Sequence, residues 1–334
     1  MPTRRATHAG SWYSSSKSEL SAELDGWLDA VPSSAKGIGT ESSKQDAASL
    51  PSEGARAIIA PHAGYSYSGP AAAWAYKALD LSKTKRIFLL GPSHHHYLSG
   101  CALSQCDTLE TPLGNLQVDK ATVAELHRKG SFDKMSRSVD EAEHSLEMHL
   151  PYIYKVLSRT FSTPSSFPPI TPILVGATTA TSESAYGALL APYLADPTST
   201  FIISSDFCHW GARFRYTYYQ PRTGPAVDLR SSDRPPADPP LHASIAAVDH
   251  LCMDAVESGV HAAFLEVLAD TENTVCGRHP IGVVMAAVEA LEKGGEVERG
   301  SGKGRFRFVR YERSSDCVSV RDSSVSYCSA FAVF

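Results

Sequence analysis

Four short runs of almost unbroken apolar residues constrain this chain more than any other feature. They are Ala55–Ala60 (ARAIIA), Arg86–Gly91 (RIFLLG), Ile170–Gly176 (ITPILVG) and Thr200–Ser205 (TFIISS). A strand with one wet face alternates apolar and polar residues, whereas a strand covered on both faces reads as a continuous apolar run. These four are read as buried strands. Two later runs, Arg305–Tyr311 and Val325–Phe334, alternate more and are read as strands nearer an edge or in an antiparallel pair.

Helical periodicity fills the intervals. Lys17–Ala30 follows a serine-rich cap and places Leu20, Leu24, Trp27 and Leu28 on one face. Pro70–Leu79, Asp119–Lys129, Ser182–Leu194, His242–Glu257 and Pro280–Lys293 behave alike, and Pro151 can open another helix. Strands alternating with helices predict an α/β fold of three layers, a mixed central sheet with helices on both faces. Three segments interrupt the pattern: 32–54, rich in Ser, Ala, Gly and Lys; 223–240, rich in Pro and Asp; and the glycine-rich 294–304. None separates two regimes of composition, so residues 1–334 are read as a single domain with low-order insertions.

The formal net charge of −5 leaves no basic footprint for nucleic acid. No run of about 18 apolar residues offers a membrane span. Met1–Trp12 is basic but lacks the apolar stretch of a signal peptide, which points to the cytoplasm, with the nucleus as second compartment. The seven cysteines are odd in number, scattered and without a C-x-x-C pair, against both a disulfide framework and a zinc ribbon.

Chemistry is concentrated just beyond the strands. After ARAIIA comes Pro61-His62-Ala63-Gly64-Tyr65; after RIFLLG comes Pro92-Ser93-His94-His95-His96; after TFIISS comes Asp206-Phe207-Cys208-His209-Trp210. Open α/β sheets bind ligands outside the carboxyl ends of their strands, so three strand ends bring these histidines together. Neutral imidazole is both the commonest metal ligand and the usual general base near neutral pH. His62 and His94 suit ligands, and His209, three residues after Asp206, suits a base oriented by a carboxylate. The plainer alternative is a polar network capping the strand ends.

Two further stretches add to this. In Val275-Cys276-Gly277-Arg278-His279-Pro280 a cysteine precedes a helix start with Arg278 beside it, reasons for a thiol to ionise easily and serve a soft metal, or simply to pack. In Glu143-His144-Ser145-Leu146-Glu147-Met148-His149 the acids and histidines either line the same pocket or form a solvated surface. The order is not H-E-x-x-H, and no G-x-S-x-G elbow, Walker A loop or G-x-G-x-x-G fingerprint occurs. The aromatic Tyr65-Ser66-Tyr67 stretch, with Tyr65 in the expected pocket, is read as a pocket wall.

Together HAGSWY (His8–Tyr13), ARAIIAPHAGYSYSG (Ala55–Gly69), RIFLLGPSHHH (Arg86–His96), EHSLEMHLPY (Glu143–Tyr152), LVGA (Leu174–Ala177), SSDFCHWGARFRY (Ser204–Tyr216), VCGRHPIG (Val275–Gly282) and DSSVSYCS (Asp322–Ser329) resemble the Memo family, named for a mediator of cell motility. The segments 32–54, 161–169, 223–240 and 294–304 look expanded beside a compact member. The resemblance implies a fold similar to class III extradiol dioxygenases, which hold non-haem iron by two histidines and a glutamate. It implies a metal at His62, His94 and Cys276, with His209 in the place of the dioxygenases' base and Cys276 in that of their glutamate. Fe(II) or copper is the implied ion. His8, Trp12, Tyr65, His95, His144, His149, Asp206 and Arg278 complete the expected pocket. Three functions follow from this resemblance: metal-dependent oxidation, metal handling, or a signalling adaptor in which Arg213, Arg278 and the histidines meet phosphotyrosine or acidic peptides.

Overall fold

The computed structural model describes residues 2–334. Nine strands form one sheet: β1 (Ala55–Ala60), β2 (Arg86–Pro92), β3 (Cys101–Ser104), β4 (Phe132–Met135), β5 (Ile170–Val175), β6 (Ser199–Ser204), β7 (Asp206–Trp210), β8 (Phe306–Arg313) and β9 (Ser324–Val333). The helices are α1 (Lys17–Ala30), α2 (Tyr65–Ala78), α3 (Lys120–Arg128), α4 (Arg137–Ala142), α5 (His144–Glu147), α6 (Leu150–Thr160), α7 (Ala180–Ala195), α8 (Leu241–Ser258), α9 (His261–Thr271) and α10 (Arg278–Gly294).

The four continuous apolar runs are the centre of the sheet. They lie in the order β1-β6-β2-β5, all parallel, with Ile58 opposite Ile202 and Ile202 opposite Leu89. Their alternate side chains enter two different cores, which is why few polar residues interrupt them. Ile58, Leu89 and Ile202 pack with Leu20, Leu24, Tyr76 and Ile153 of α1, α2 and α6. Ile59, Phe88, Phe201 and Ile203 pack with Leu190, Met253, Phe264 and Val284 of α7–α10. The mixed sheet between two helical layers is the α/β architecture that the alternation of strand and helix predicts. β3 runs antiparallel to β5, and β9 runs antiparallel to β1, β7 and β8.

Local signals account for the helix limits. Ser16 caps α1 by accepting the Glu19 N–H, and Leu20, Leu24 and Leu28 are buried to within 1%. Each such leucine stabilises the fold by about 1.5–3 kcal/mol. Thr179 and Ser182 form a reciprocal cap on α7. One element differs from expectation: α2 starts at Tyr65 rather than Pro70, because the Tyr65 N–H donates to the Trp12 carbonyl (2.9 Å) and the turn after β1 runs directly into the helix. β9 is antiparallel, as one of the two expected alternatives has it, and is hydrogen-bonded on both sides and buried over its first nine residues rather than at an edge.

Segment 32–54 forms a short ladder between Ser34–Ala35 and Ala48–Ser49, buries Ala35 and Leu50, and bonds the Ile38 N–H to the Phe308 carbonyl (2.9 Å). Segment 223–240 is irregular apart from Val227–Asp228, which pairs with Tyr218–Tyr219. No helix among the described residues is long and apolar enough to cross a membrane.

Candidate metal centre

Parallel strands end at one edge of the sheet, so the residues that follow β1, β2 and β6 converge. His62 lies two residues beyond β1 and His94 two beyond β2. After β6 the chain passes through Ser205 into β7, which carries Asp206, Cys208 and His209. Cys276 arrives from the turn before α10. Gly277 makes that approach feasible: a Cβ there would sit 2.3 Å from the Ser205 Cβ, a separation no side chain tolerates. Trp12, His62, Tyr67, His94, His144, Asp206, His209, Arg213 and Tyr327 line a cleft of about 740 Å³ at this edge.

The hydrogen bonds fix which nitrogen of each ring is free. The Ser204 hydroxyl donates to the Ser145 carbonyl (2.7 Å) and so accepts from His62 Nδ1 (2.6 Å), leaving His62 Nε2 with the lone pair. Glu143 grips His94 twice, accepting from the main-chain N–H (2.7 Å) and from Nδ1 (2.8 Å). Carbonyls of Phe207 (2.9 Å) and Thr274 (3.1 Å) take the Nδ1 proton of His209. Each of the three rings therefore commits its Nδ1 and leaves Nε2 as the nitrogen that can ligate, which is how an outer carboxylate or carbonyl prepares a ligating histidine.

His144 joins them. Ligand atoms of His62, His94 and His144 lie within 4.8 Å of one another. The His144 ring stacks on His94 with centroids 4.4 Å apart and lies 5.4 Å from His62. Its Nδ1 is buried without a hydrogen-bond partner. Cys276 Sγ is 3.3 Å from His62 Nε2 and accepts the Asp206 N–H at 3.2 Å. Three imidazole nitrogens at one point, with the Cys276 thiol beside His62, fit a transition-metal ion.

A second grip repeats the first. Glu147 accepts from the His8 main-chain N–H (2.8 Å) and holds His8 Nδ1 (2.8 Å). Glu147 also accepts from Tyr13 (2.8 Å) and from Arg4 (2.7 Å). The buried Arg4 guanidinium spends its remaining donors on Asp140 and on the carbonyls of Arg5, Asp140 and Glu143. One cation thus ties down the whole segment that presents Glu143, His144 and Glu147.

The electrostatics follow from burial. Desolvation lowers His62 well below the ordinary imidazole value, and the neighbouring histidines lower it further. Desolvation likewise takes His144 down to about 3. These rings are neutral at physiological pH. Burial would raise the Glu143 and Glu147 carboxyls, but hydrogen bonds from His94 to one, and from His8 and Arg4 to the other, hold both at about 2. Burial raises Asp206, opposed chiefly by His209.

The Memo-like protein family model matches residues 4–331. The chain belongs to the Memo family. It is 45% identical to Protein MEMO1 of Xenopus laevis over 99% of this chain and 97% of that one. It is 44% identical to Protein MEMO1 of Homo sapiens over 97% and 95% of the two chains. With the Protein memo-1 homolog of Caenorhabditis elegans it shares 40% identity over 98% of this chain and 81% of that one. Among solved structures, uncharacterized protein JW3007 from Escherichia coli K12 matches with a TM-score of 0.44 at 12% identity, over 82% of this chain and 99% of that one, too slight a likeness to bear on the site.

Against this Memo framework several residues sit differently from expectation. Tyr65 is not a pocket wall; it is buried, donates to the Met148 carbonyl (2.6 Å), and leaves the wall to Tyr67. His149 is fully buried behind the cleft, its Nδ1 against the Tyr76 hydroxyl (2.7 Å). Arg278 opens α10 outside the cleft lining, with its Nε buried and unpartnered. The Cys276 thiol is not poised to ionise: burial pushes it well above its ordinary value, and the Asp206 charge adds to that. His209 is oriented by carbonyls rather than by Asp206, whose Oδ1 instead accepts the His62 N–H (2.8 Å). His8 and Trp12 do reach the cleft mouth: Trp12 packs 4.5 Å from His144, and His8 5.6 Å from Trp12. His95 lies exposed, 5.6 Å from His144. Glu143, Glu147, Arg4 and Ser204 carry the orientation of the histidines. Of these, only the four-residue spacing of Glu143 and Glu147 is visible in the sequence.

Proposed function

We propose that this Memo protein binds iron or copper at His62 and His94, completed by Cys276, and uses it in oxidation or in metal handling. The single observation behind the reading is the convergence of imidazoles whose Nδ1 atoms are already committed to Ser204 and Glu143. A redox-active ion supplies electron exchange and Lewis acidity when bound. The chain's own residues do the rest. Glu143 and Ser204 hold the two ligating rings, Asp206 fixes the His62 backbone, and the Cys276 thiol gives up its proton to become a ligand. His209, its Nδ1–H committed to carbonyls, presents a lone pair at Nε2 to take a proton from a substrate in the cleft. Trp12 and Tyr67 line the cleft from its exposed side.

Oxygen uptake tests the catalytic version. Protein loaded anaerobically with Fe(II) or Cu(I) is then exposed to oxygen with phenolic and thiol substrates. Consumption above that of free metal, absent in His62→Ala, supports oxidation. Tight binding with no turnover leaves metal handling.

One observation favours the adaptor reading as the alternative. Arg213 lines the cleft and makes no ion pair among the described residues, its guanidinium resting 4.4 Å from the Phe214 ring. Such a cation suits a phosphotyrosine or acidic side chain. Titration of a phosphopeptide against its unphosphorylated twin decides it: equal, weak binding of both removes the adaptor.

A further inference from the structure

We infer that Asp249 is the positioning residue of His209: it holds the bulge in β7 that turns the ring into the cleft, and so decides which ring nitrogen is presented there. The inference rests on the reading of His209 as the base.

The spacing of Asp206 and His209 is the first observation. Side chains three apart on an unbroken strand face opposite sides, yet both of these line the cleft. The ladder with β9 explains it. Asp206 lies opposite Tyr327 and His209 opposite Val325, so Phe207 and Cys208 together face Ser326 alone, which is a β-bulge. Two main-chain groups of the bulge serve side chains: the Phe207 carbonyl accepts from His209 Nδ1 (2.9 Å), and the Cys208 N–H donates to Asp249 Oδ1 (3.1 Å). The turn before α10 holds the ring from the other side. There the Thr274 hydroxyl accepts the His209 main-chain N–H (2.7 Å), and the Thr274 carbonyl accepts from Nδ1 (3.1 Å). Asp249 ties that turn to the bulge, because the same Oδ1 accepts from Asn273 Nδ2 (3.1 Å). Its Oδ2 accepts from the Tyr311 hydroxyl (2.9 Å), which lies 3.2 Å from the hydroxyl of Ser326, the residue opposite the bulge. One carboxyl on α8 thus joins the bulge, the strand beside it and the turn that cradles the ring. Asp249 is fully buried, and burial raises its carboxyl above the ordinary value, a cost that these three donors offset.

The test is nitrogen-15 NMR of the histidine side chains in the 334-residue chain, free of metal and at mildly alkaline pH. His209 is assigned by the signals missing from His209→Gln. The wild-type ring should show a protonated Nδ1, slow to exchange with water, because both partners of that nitrogen are carbonyls, which only accept. Asp249→Ala should lose the slow proton and shift the ring toward the tautomer protonated at Nε2. Asp249→Asn, which keeps an acceptor oxygen for Cys208 and Asn273, should retain it. Asn273→Ala removes only the arm to the turn and decides the matter where Asp249→Ala does not fold. It should speed exchange of the Nδ1 proton by about two- to tenfold, the worth of one hydrogen bond. An Nδ1 proton as slow in Asp249→Ala or Asn273→Ala as in wild type overturns the inference, and so does its loss from Asp249→Asn. These signals need neither metal nor substrate, so they stand apart from the metal centre. Oxygen uptake unchanged in metal-loaded His209→Gln would instead remove the base and leave the positioning of its ring standing.

Discussion

Replacing Glu143 with glutamine perturbs the site without touching a ligand. The carboxylate offers one oxygen to the His94 N–H and the other to His94 Nδ1, at 2.7 and 2.8 Å. Glutamine keeps nearly the same shape but offers a single acceptor oxygen and an NH₂. If that oxygen serves the main chain, the NH₂ faces Nδ1, and the ring is driven to the tautomer that carries its proton on Nε2, the nitrogen a metal needs. Changes to partners of this kind reduce metal affinity about 10–100-fold, or about 1.4–2.8 kcal/mol. The side chain of Glu143 is 1% exposed, so water cannot substitute. Glu143→Gln should therefore weaken Zn(II) or Fe(II) binding by that factor in a chelator-competition assay. Its far-ultraviolet circular dichroism should stay that of wild type. Wild-type affinity in a folded Glu143→Gln protein would refute the claim that this carboxylate prepares His94.

Cys276 must lose a proton to bind an ion, and burial holds that thiol protonated. Metal affinity should rise about tenfold per pH unit between pH 6.5 and 8.5, and Cys276→Ser should flatten the slope while shifting apo Tm little. His144 and His149 fall to about 3 from an ordinary 6.5, so each contributes stability that is complete above pH 6.5 and lost as pH falls toward 3. Two such groups cost the apo protein about 3 kcal/mol per pH unit within that window, so urea midpoints should be level above pH 7 and fall steadily below 6; a midpoint unchanged from pH 7 to 5 would contradict this. Tyr65→Phe removes one buried hydrogen bond, to the Met148 carbonyl. It should cost about 0.5–1.5 kcal/mol in denaturant titrations and leave metal binding unchanged, as a core residue would.

The sheet was legible because burial on both faces leaves a periodicity of its own. β1, β2, β5 and β6 fall within a residue or two of the runs that announce them, since both faces of each are mostly apolar. The strand ends were legible for the same reason: once β1, β2 and β6 are parallel neighbours, His62, His94 and the Asp206–His209 stretch must meet. What could not be read was which way side chains turn. Tyr65 and Tyr67 are two residues apart on one helix, and packing against Tyr13 and Trp27 sends the first inward and leaves the second at the cleft. His144 and His149 belong to one motif but face opposite directions, because His144 ends in the cleft and His149 lies on the core side beside Tyr76. The charge around Cys276 is not legible in the sequence because neighbours in sequence are not neighbours in space: Asp206 and Glu143, not Arg278, are the charges that act on the sulfur. The Arg4 network joins residues about 140 positions apart, and no local pattern encodes it.

Anaerobic titration of Fe(II), Cu(I) and Zn(II) into the apo protein, beside His62→Ala, tests the histidine cluster as a metal centre most directly. Stoichiometric binding by wild type, abolished by His62→Ala while the variant keeps its fold, is the predicted result. No binding, or binding that His62→Ala leaves intact, would contradict it and leave the convergent imidazoles as a polar cap on the strand ends.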